Sequence, residues 1–235
     1  MYCRQSNNVL RQTKIKKIFN DLAEDYWLNN IFSFGLTAYI RKQAIDKLKI
    51  KQNESVLDIM CGTGDNFKYL FRFTNHITAL DYSENMLSVA RASNKYSKSV
   101  HLVKKDFLSD DISELKFNNC LCTFGLKQLQ DDEIPIFVHQ LRTVLCAQGR
   151  FCMAEICLDN RSFSSRMALN YMHYFLPIIN KLITGKNHHK YLYSFAKNTV
   201  PVQYIIQILQ ENNFEVDTDF IAFKHAVIIS GKYLG

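Results

Sequence analysis

The sequence predicts an α/β fold: a doubly wound, seven-stranded, mostly parallel sheet, with N-terminal helices and a helical segment inserted before the last strands. Three observations predict it. Short apolar runs alternate with helical patterns throughout residues 54–156, a rhythm that calls for right-handed crossovers between parallel strands. The rhythm breaks after residue 157, where residues 161–198 read as helices. Residues 214–233 then read as a closing pair of strands.

The elements follow in chain order. Residues 9–28 and 36–48 carry helical periodicity, separated by NNIFSFG, a turn-like break. SVLDIM is a short apolar run between turn signals and reads as a buried first strand. Residues 65–73 read as a helix. HITALD is a second strand, and SENMLSVARAS opens a helix with Ser83 as its N-cap. VHLVKKD, NNCLCTFG and GRFCMAEI supply strands three to five. A helix over 131–146 carries the acids Asp131 and Asp132 near its start, where they complement the helix dipole. Pro201 falls in the first turn of a helix over 201–212. The chain of 235 residues reads as one domain: 9–48 N-terminal helices, 54–156 alternating core, 161–198 inserted helices, 201–235 closing helix and strand pair.

Composition narrows the class. Apolar residues make up 47% and aromatics 13%, which excludes a disordered chain. No apolar run reaches the roughly 18–20 residues of a membrane-spanning helix. The basic N-terminus lacks the apolar stretch and cleavage site of a secretory signal, so the expected location is cytoplasmic. Seven cysteines without a CxxC pair fit reduced thiols better than a disulfide framework or a zinc site. Cys120 and Cys122, on an apolar run, read as buried thiols. The net charge of +7 permits attraction to nucleic acid or to an anionic membrane face. The basic residues are scattered, apart from RQTKIKK (Arg11 to Lys17), which reads as the solvated face of a first helix or as a phosphate or lipid contact.

The chemistry concentrates after the first strand, in VLDIMCGTGD. No Lys-Ser or Lys-Thr follows the glycines, so a GxxxxGK[ST] phosphate loop is excluded. A dinucleotide fingerprint asks for a third small residue at position 67, where Phe67 stands. Gly62 and Gly64 let the backbone pass close to a ligand. Asp58 and Asp65 make this entrance acidic, which suits a cationic ligand and opposes phosphate. Asp81, ending the second strand, can accept both ribose hydroxyls. Asp106, ending the third, can take an adenine amino group, with Phe107 flanking the ring. Acids and glycines at three successive strand ends describe a nucleoside with no phosphate and a positive group near the loop. S-adenosyl-L-methionine is such a molecule.

At these residues the sequence resembles class I methyltransferases, and more closely the ubiquinone/menaquinone biosynthesis C-methyltransferase family. The resemblance runs from about residue 15 to 233. IFNDLAEDYWLNNIFSFGL is similar to that family's N-terminal segment, with Tyr26, Asn30, Ser33, Phe34 and Gly35 matching. VLDIMCGTGD matches its cofactor loop and ALDYSENML its ribose segment. CTFGLKQLQDDE matches its motif after strand four, QLRTVLCAQGRFCMAEIC the stretch leading to Glu155, and YFLPIINKLITGKNHHKYLYSFAKN its substrate-side helices. The resemblance implies a Rossmann-like methyltransferase fold and a cofactor site of Tyr26, Asp58, Cys61, Gly62, Gly64, Asp81, Tyr82, Met86, Asp106, Phe107 and Phe124. Two departures stand out. The family's loop is typically small where Met60 and Cys61 stand. Its Arg-Asn pair, thought to help activate the acceptor, is replaced by Lys127 and Gln128, and a Lys point charge does not replace a planar Arg fork.

Methyl transfer to a phenol carbon needs the hydroxyl deprotonated or nearly so. Lys127 can stabilise the phenolate and Gln128 can orient it; a surface salt contact is the alternative for Lys127. His173 is a candidate base, the alternative being a core or interface histidine. Tyr171 and Tyr174 are candidate acceptor contacts on the inserted helices, whose Tyr, Phe, Met, Leu and Ile suit an apolar acceptor pocket or a subunit interface. His188 and His189 lack a third ligand, so no metal is expected. The expected function is therefore S-adenosylmethionine-dependent methylation of a small aromatic or lipid-like acceptor at carbon, in quinone-like or specialised-metabolite biosynthesis. Alternatives are oxygen or nitrogen methylation of a specialised metabolite, or a catalytically weak cofactor-binding subunit partnering another methyltransferase. A homo-oligomer and a peripheral membrane contact are compatible with the sequence. CTFGLKQL lacks the Asn/Asp-Pro-Pro-aromatic run of exocyclic-amine methylation, which argues against nucleic acid.

Overall fold

Strands buried on both faces need mostly apolar runs, and VLDI and ITALD supply them, interrupted only by Asp58, Thr78 and Asp81. A computed structural model of the chain describes residues 13, 15, 17–93, 95–158, 162–185, 193 and 201–235. Its strands are β1 (Val56–Ile59), β2 (Ile77–Asp81), β3 (His101–Lys104), β4 (Phe117–Thr123), β5 (Leu145–Ile156), β6 (Phe214–Ile221) and β7 (Ala226–Tyr233). They form one seven-stranded sheet in the order β3-β2-β1-β4-β5-β7-β6. The first five strands pair in parallel, whereas β7 runs antiparallel to both β5 and β6. This is the expected doubly wound sheet. Its order reverses between β1 and β4, and a crevice opens at the carboxyl ends of those two strands.

Helices cover both faces. On one, α5 (Ile134–Val144) and α8 (Val202–Glu211) bury Phe137, Leu141 and Leu209 against Leu57, Cys120 and Phe151. On the other, α2 (Leu36–Leu48), α3 (Phe67–Leu70) and α4 (Glu84–Ser93) bury Ile40, Ile45, Phe67 and Leu87 against Val56, Leu121 and Cys152. Ser83 caps α4 as expected, its Oγ accepting the Met86 N–H at 3.2 Å. The periodicity of 36–48 matches α2, which starts after two left-handed residues, Phe34 (φ 50) and Gly35 (φ 80).

Several boundaries differ from expectation. The N-terminal helix does not run to residue 28: residues 17–22 are helical, Ala23–Asp25 tighten into a 3-10 turn, and a separate α1 spans Leu28–Phe32. The helix expected over 65–73 is the single turn α3. Asp131 and Asp132 do not cap α5; Glu133 stands at its N-cap and accepts the Gln130 N–H at 2.7 Å. The described stretch of the inserted segment, residues 162–185, holds one helical run, α6 (Phe163–Asn170), a π turn (Tyr171–Phe175) and α7 (Leu176–Thr184). Within it the Leu176 N–H bonds the Tyr171 carbonyl five residues back. Pro177, which has no N–H to give, follows at once, and the wider turn lets the helix continue past it. His188, His189 and most of the Arg11–Lys17 cluster lie outside the described residues. Among the described residues no helix is long and apolar enough to cross a membrane.

Candidate active site

The crevice is lined by backbone held in unusual conformations. Met60 follows β1 with φ 55 and Phe124 follows β4 with φ 60; neither is a glycine, and both sit in the sparsely populated left-handed region at the switch point. Met60 interlocks with Gly125, because a Cβ on Gly125 would stand 2.8 Å from both Met60 Sδ and Cys122 Sγ. Met60 thus fills the space that Gly125 leaves. In the loop, Gly62 (φ 55) and Gly64 (φ 78) need their conformational freedom. The buried Phe67 ring packs where a side chain on Gly64 would go. That ring closes the approach a pyrophosphate would need, which gives position 67 a physical reason.

Asp81 fastens the loop. Its Oδ2 accepts the Gly62 N–H at 2.8 Å and its Oδ1 the Ser83 N–H at 2.9 Å. Burial pushes its pKa up to about 6, against the pull of those two bonds. Asp58 is fully buried beneath the loop. Its Oδ1 accepts Asn66 Nδ2 at 2.8 Å, whereas Oδ2 has no hydrogen-bond partner. Burial raises its pKa to about 7, Asn66 and Arg41 pulling the other way.

A polar network not anticipated from sequence joins this floor to the N-terminal helices. Arg41, only 5% exposed, comes from the buried face of α2. It donates through Nη1 to Asn66 Oδ1 at 3.1 Å and to Thr123 Oγ1, and through Nη2 to Asp65 Oδ2 at 3.3 Å. Asn30 Nδ2 donates to the same Asp65 oxygen at 3.2 Å, and Thr37 Oγ1 donates to Asn30 Oδ1 at 2.9 Å. The Arg41 guanidinium also lies 4.8 Å from the Phe124 ring centroid. The helical spacing of α2 places position 41 beside the apolar 40, 44, 45 and 48, and a cation on that face was the available signal.

Two cavities meet at this network. The first, about 20 Å³, lies against the loop and is lined by Met60, Cys61, Gly62, Asp81, Tyr82 and Gln128, among others. The second, about 290 Å³, is mostly apolar and reaches Phe34, Lys127, Ile156, Tyr171 and Leu176. Phe19, Tyr26, Arg41 and Phe124 line both. Lys127 is held in the second wall. Its Nζ stands 3.4 Å from Oε1 of the fully buried Glu155 and 5.1 Å from the Phe124 centroid, while its N–H donates to Glu155 Oε2 at 3.0 Å.

The sequence-derived residues divide accordingly. Tyr26, Cys61, Gly62, Asp81, Tyr82, Met86, Phe124 and Gln128 gather at the loop cavity, and Lys127 and Tyr171 at the apolar one. Gly64 and Asp58 shape the loop from beneath. Phe107 does not flank a ligand site: its side chain is 1% exposed and packs on Phe137 in the core, centroids 5.0 Å apart. Asp106 organises its own turn, accepting the Leu108 N–H at 3.0 Å, and lines neither cavity. His173 is exposed, with its ring against Tyr174 and Tyr193 at 4.5 and 4.4 Å, and Tyr174 is 60% exposed; neither lines the loop cavity or the apolar one.

The Asp58 carboxyl predicts a pH effect. Its folded pKa lies above the roughly 3.9 of an unfolded chain, so protonation favours the folded state. That contribution is fully present below about pH 4 and is lost as pH rises through about 7. Asp58→Asn is expected to gain stability relative to the parent between pH 5 and 8, by on the order of 1–3 kcal/mol. Thermal melts at the two pH values read the difference; parallel curves would refute it.

Comparison with known proteins places this geometry. The sequence matches the ubiE/COQ5 methyltransferase family over residues 7–230. It is 29% identical over 223 residues to a demethylmenaquinone methyltransferase of Thermotoga maritima, covering 93% of this chain and 95% of that protein. A demethylmenaquinone methyltransferase of Staphylococcus aureus is 24% identical over 214 residues, covering 89% and 88%. Magnesium protoporphyrin IX methyltransferase of Synechocystis, solved with SAH bound, shares the fold with a TM-score of 0.61 at 14% identity, covering 95% of this chain and 99% of that one.

Proposed function

The chain belongs to the ubiE/COQ5 methyltransferase family and is an S-adenosylmethionine-dependent methyltransferase, and on that premise we propose that it methylates a carbon of a hydroxylated aromatic, quinol-like acceptor with an apolar body. The observation that carries the proposal is the apolar cavity of about 290 Å³, contiguous with the loop cavity and with Lys127 in its wall. The names of the two relatives, both demethylmenaquinone methyltransferases, support the same acceptor class.

The residues present fit the cofactor. Gly62 carries no side chain into the loop cavity, and Asp58, buried beneath it with Oδ2 lacking a hydrogen-bond partner, would ionise more readily once a cation sat above it. When bound, S-adenosylmethionine supplies a methyl group activated by its positive sulfur. Asp81 would hold the ribose hydroxyls. Arg41, whose Nε has no hydrogen-bond partner, would face the methionine carboxylate. The loop cavity as it stands has room for about one water. Phe19, Tyr26 and Met86 line it, and Ser83 Oγ donates to Asn20 Oδ1 across the same seam, so cofactor entry requires this cover to shift.

On the acceptor side, apolar walls exclude water, and Lys127 places positive charge where a phenolate would form. Phe124 and Tyr26 stand at the junction and orient the ring for attack. The test is to incubate the purified protein with S-adenosylmethionine and a demethylated naphthoquinol bearing a short prenyl tail. The expected product is the ring-carbon methyl derivative, identified by mass spectrometry. Methylation confined to oxygen or nitrogen acceptors would overturn the proposal. So would product formed only after a partner protein is added.

A further inference from the structure

The run from α6 to α7 leaves one face uncovered. Phe163, Met167, Phe175, Ile178 and Leu182 are 70%, 59%, 61%, 61% and 80% exposed. Steps of three and four residues put such side chains on one line of a helix. The step from Met167 to Phe175 is eight, and it crosses the π turn, whose wider winding takes up the surplus residue and keeps the line straight. The stripe extends for about 30 Å, at 1.5 Å per residue. The adjoining face of the same run, one residue on from Met167 and Phe175, lines the apolar cavity through Ala168, Met172 and Leu176. The two faces connect. Phe34, 87% exposed, lines the cavity and lies 6.1 Å from the Tyr171 ring, which lies 6.4 Å from the Phe175 ring on the stripe. The mouth of the cavity therefore opens beside the stripe.

Charge selects the occupant. Residues 163–184 contain Arg166, His173 and Lys181 and no Asp or Glu, within a chain of net charge +7. Trp27, 54% exposed, adds an amphipathic ring on the neighbouring N-terminal segment. An apolar line with only basic flanks lies well in the interface of an anionic lipid bilayer. A second copy of the chain would bring like charges together. We propose that the Phe163–Thr184 helical run docks on anionic membrane surfaces, with the mouth of the apolar cavity facing the lipid. An apolar acceptor then passes from bilayer to cavity without crossing water.

Flotation of the full chain with vesicles tests this, independently of the acceptor's identity. Phosphatidylcholine vesicles with phosphatidylglycerol are expected to carry the protein up, pure phosphatidylcholine much less, and added salt to weaken the effect. Ile178→Glu combined with Leu182→Glu is expected to lower partition by about tenfold or more. The thermal shift given by S-adenosylmethionine should be unchanged in that variant, showing that it is folded. The proposal is overturned if the parent protein floats with neither vesicle, or if the double variant floats as the parent does. It is also overturned if the variant converts a dimer to a monomer in sedimentation while vesicle binding is unaltered, because the face is then an interface between copies.

Discussion

Asp81→Ala is expected to weaken S-adenosylmethionine binding by more than about a hundredfold, since each hydrogen bond to a charged group contributes roughly 1.5–3 kcal/mol. The carboxylate lines the loop cavity and accepts two backbone N–H groups, from Gly62 and Ser83. The substitution removes the proposed ribose acceptor and also releases the loop from the start of α4. Calorimetric titration reads the affinity. The thermal shift gives a second reading, because cofactor at a hundred times its Kd stabilises the parent by about 2.7 kcal/mol and should leave the variant unmoved. Asp81→Asn separates the two effects: its amide oxygen can still accept one backbone N–H, so recovery of the fold without recovery of affinity places the loss on the ribose contact. Protonation imitates the substitution. With a pKa near 6, affinity in the parent should fall as pH drops below that value, and the Asn variant should not show the fall. Unchanged affinity in Asp81→Ala would remove this residue from the cofactor site.

The strand-end acids and glycines were legible because backbone geometry enforces them. A parallel strand followed by a close turn needs glycine, and the crevice at a switch point is where polar residues gather. Asp81 and the Gly62 loop could therefore be placed from sequence alone. Phe107 was misread because adjacency in sequence says nothing about which way the side chain turns: Asp106 stays at the turn, and Phe107 rotates into the core against Phe137. His173 was misread for a related reason. The π turn alters which residues of the inserted run share a face: Tyr171 and Met172 turn inward, whereas His173 and Tyr174 turn out. Arg41 was overlooked because its partners Asp65, Asn66 and Thr123 lie 24, 25 and 82 residues away in the chain. Its burial within an apolar helix face was the visible trace.

Lys127→Met is expected to slow methyl transfer by about a hundredfold or more, the usual loss when one preorganised donor to a developing oxyanion is removed, while cofactor affinity stays within about threefold. The split follows from position: Lys127 lines the apolar cavity and not the loop cavity. Loss of the ammonium need not unfold the site. The Glu155 carboxylate keeps two backbone donors, the N–H of residue 127 at 3.0 Å and that of Ile156 at 2.9 Å. The ion pair with Glu155 bears on the mechanism in a second way. A lysine tied to a buried carboxylate has part of its charge already answered, so its pull on a phenolate is weaker than that of a lone ammonium, and its place is correspondingly better fixed. Glu155→Gln should therefore change the rate far less than Lys127→Met does, because the ammonium remains. Lys127→Arg tests what the charge is for: if charge alone matters, it keeps most of the rate, and if the compact ammonium beside Phe124 matters, it falls toward the Met variant. Single-turnover rates with saturating cofactor make the measurement on the chemical step itself. An unaltered rate in Lys127→Met would leave this residue as a support for Glu155 and the β5 end, and the acceptor would have to be activated by another group in the apolar cavity, of which Asp65 and Tyr26 are the titratable candidates in contact with the junction.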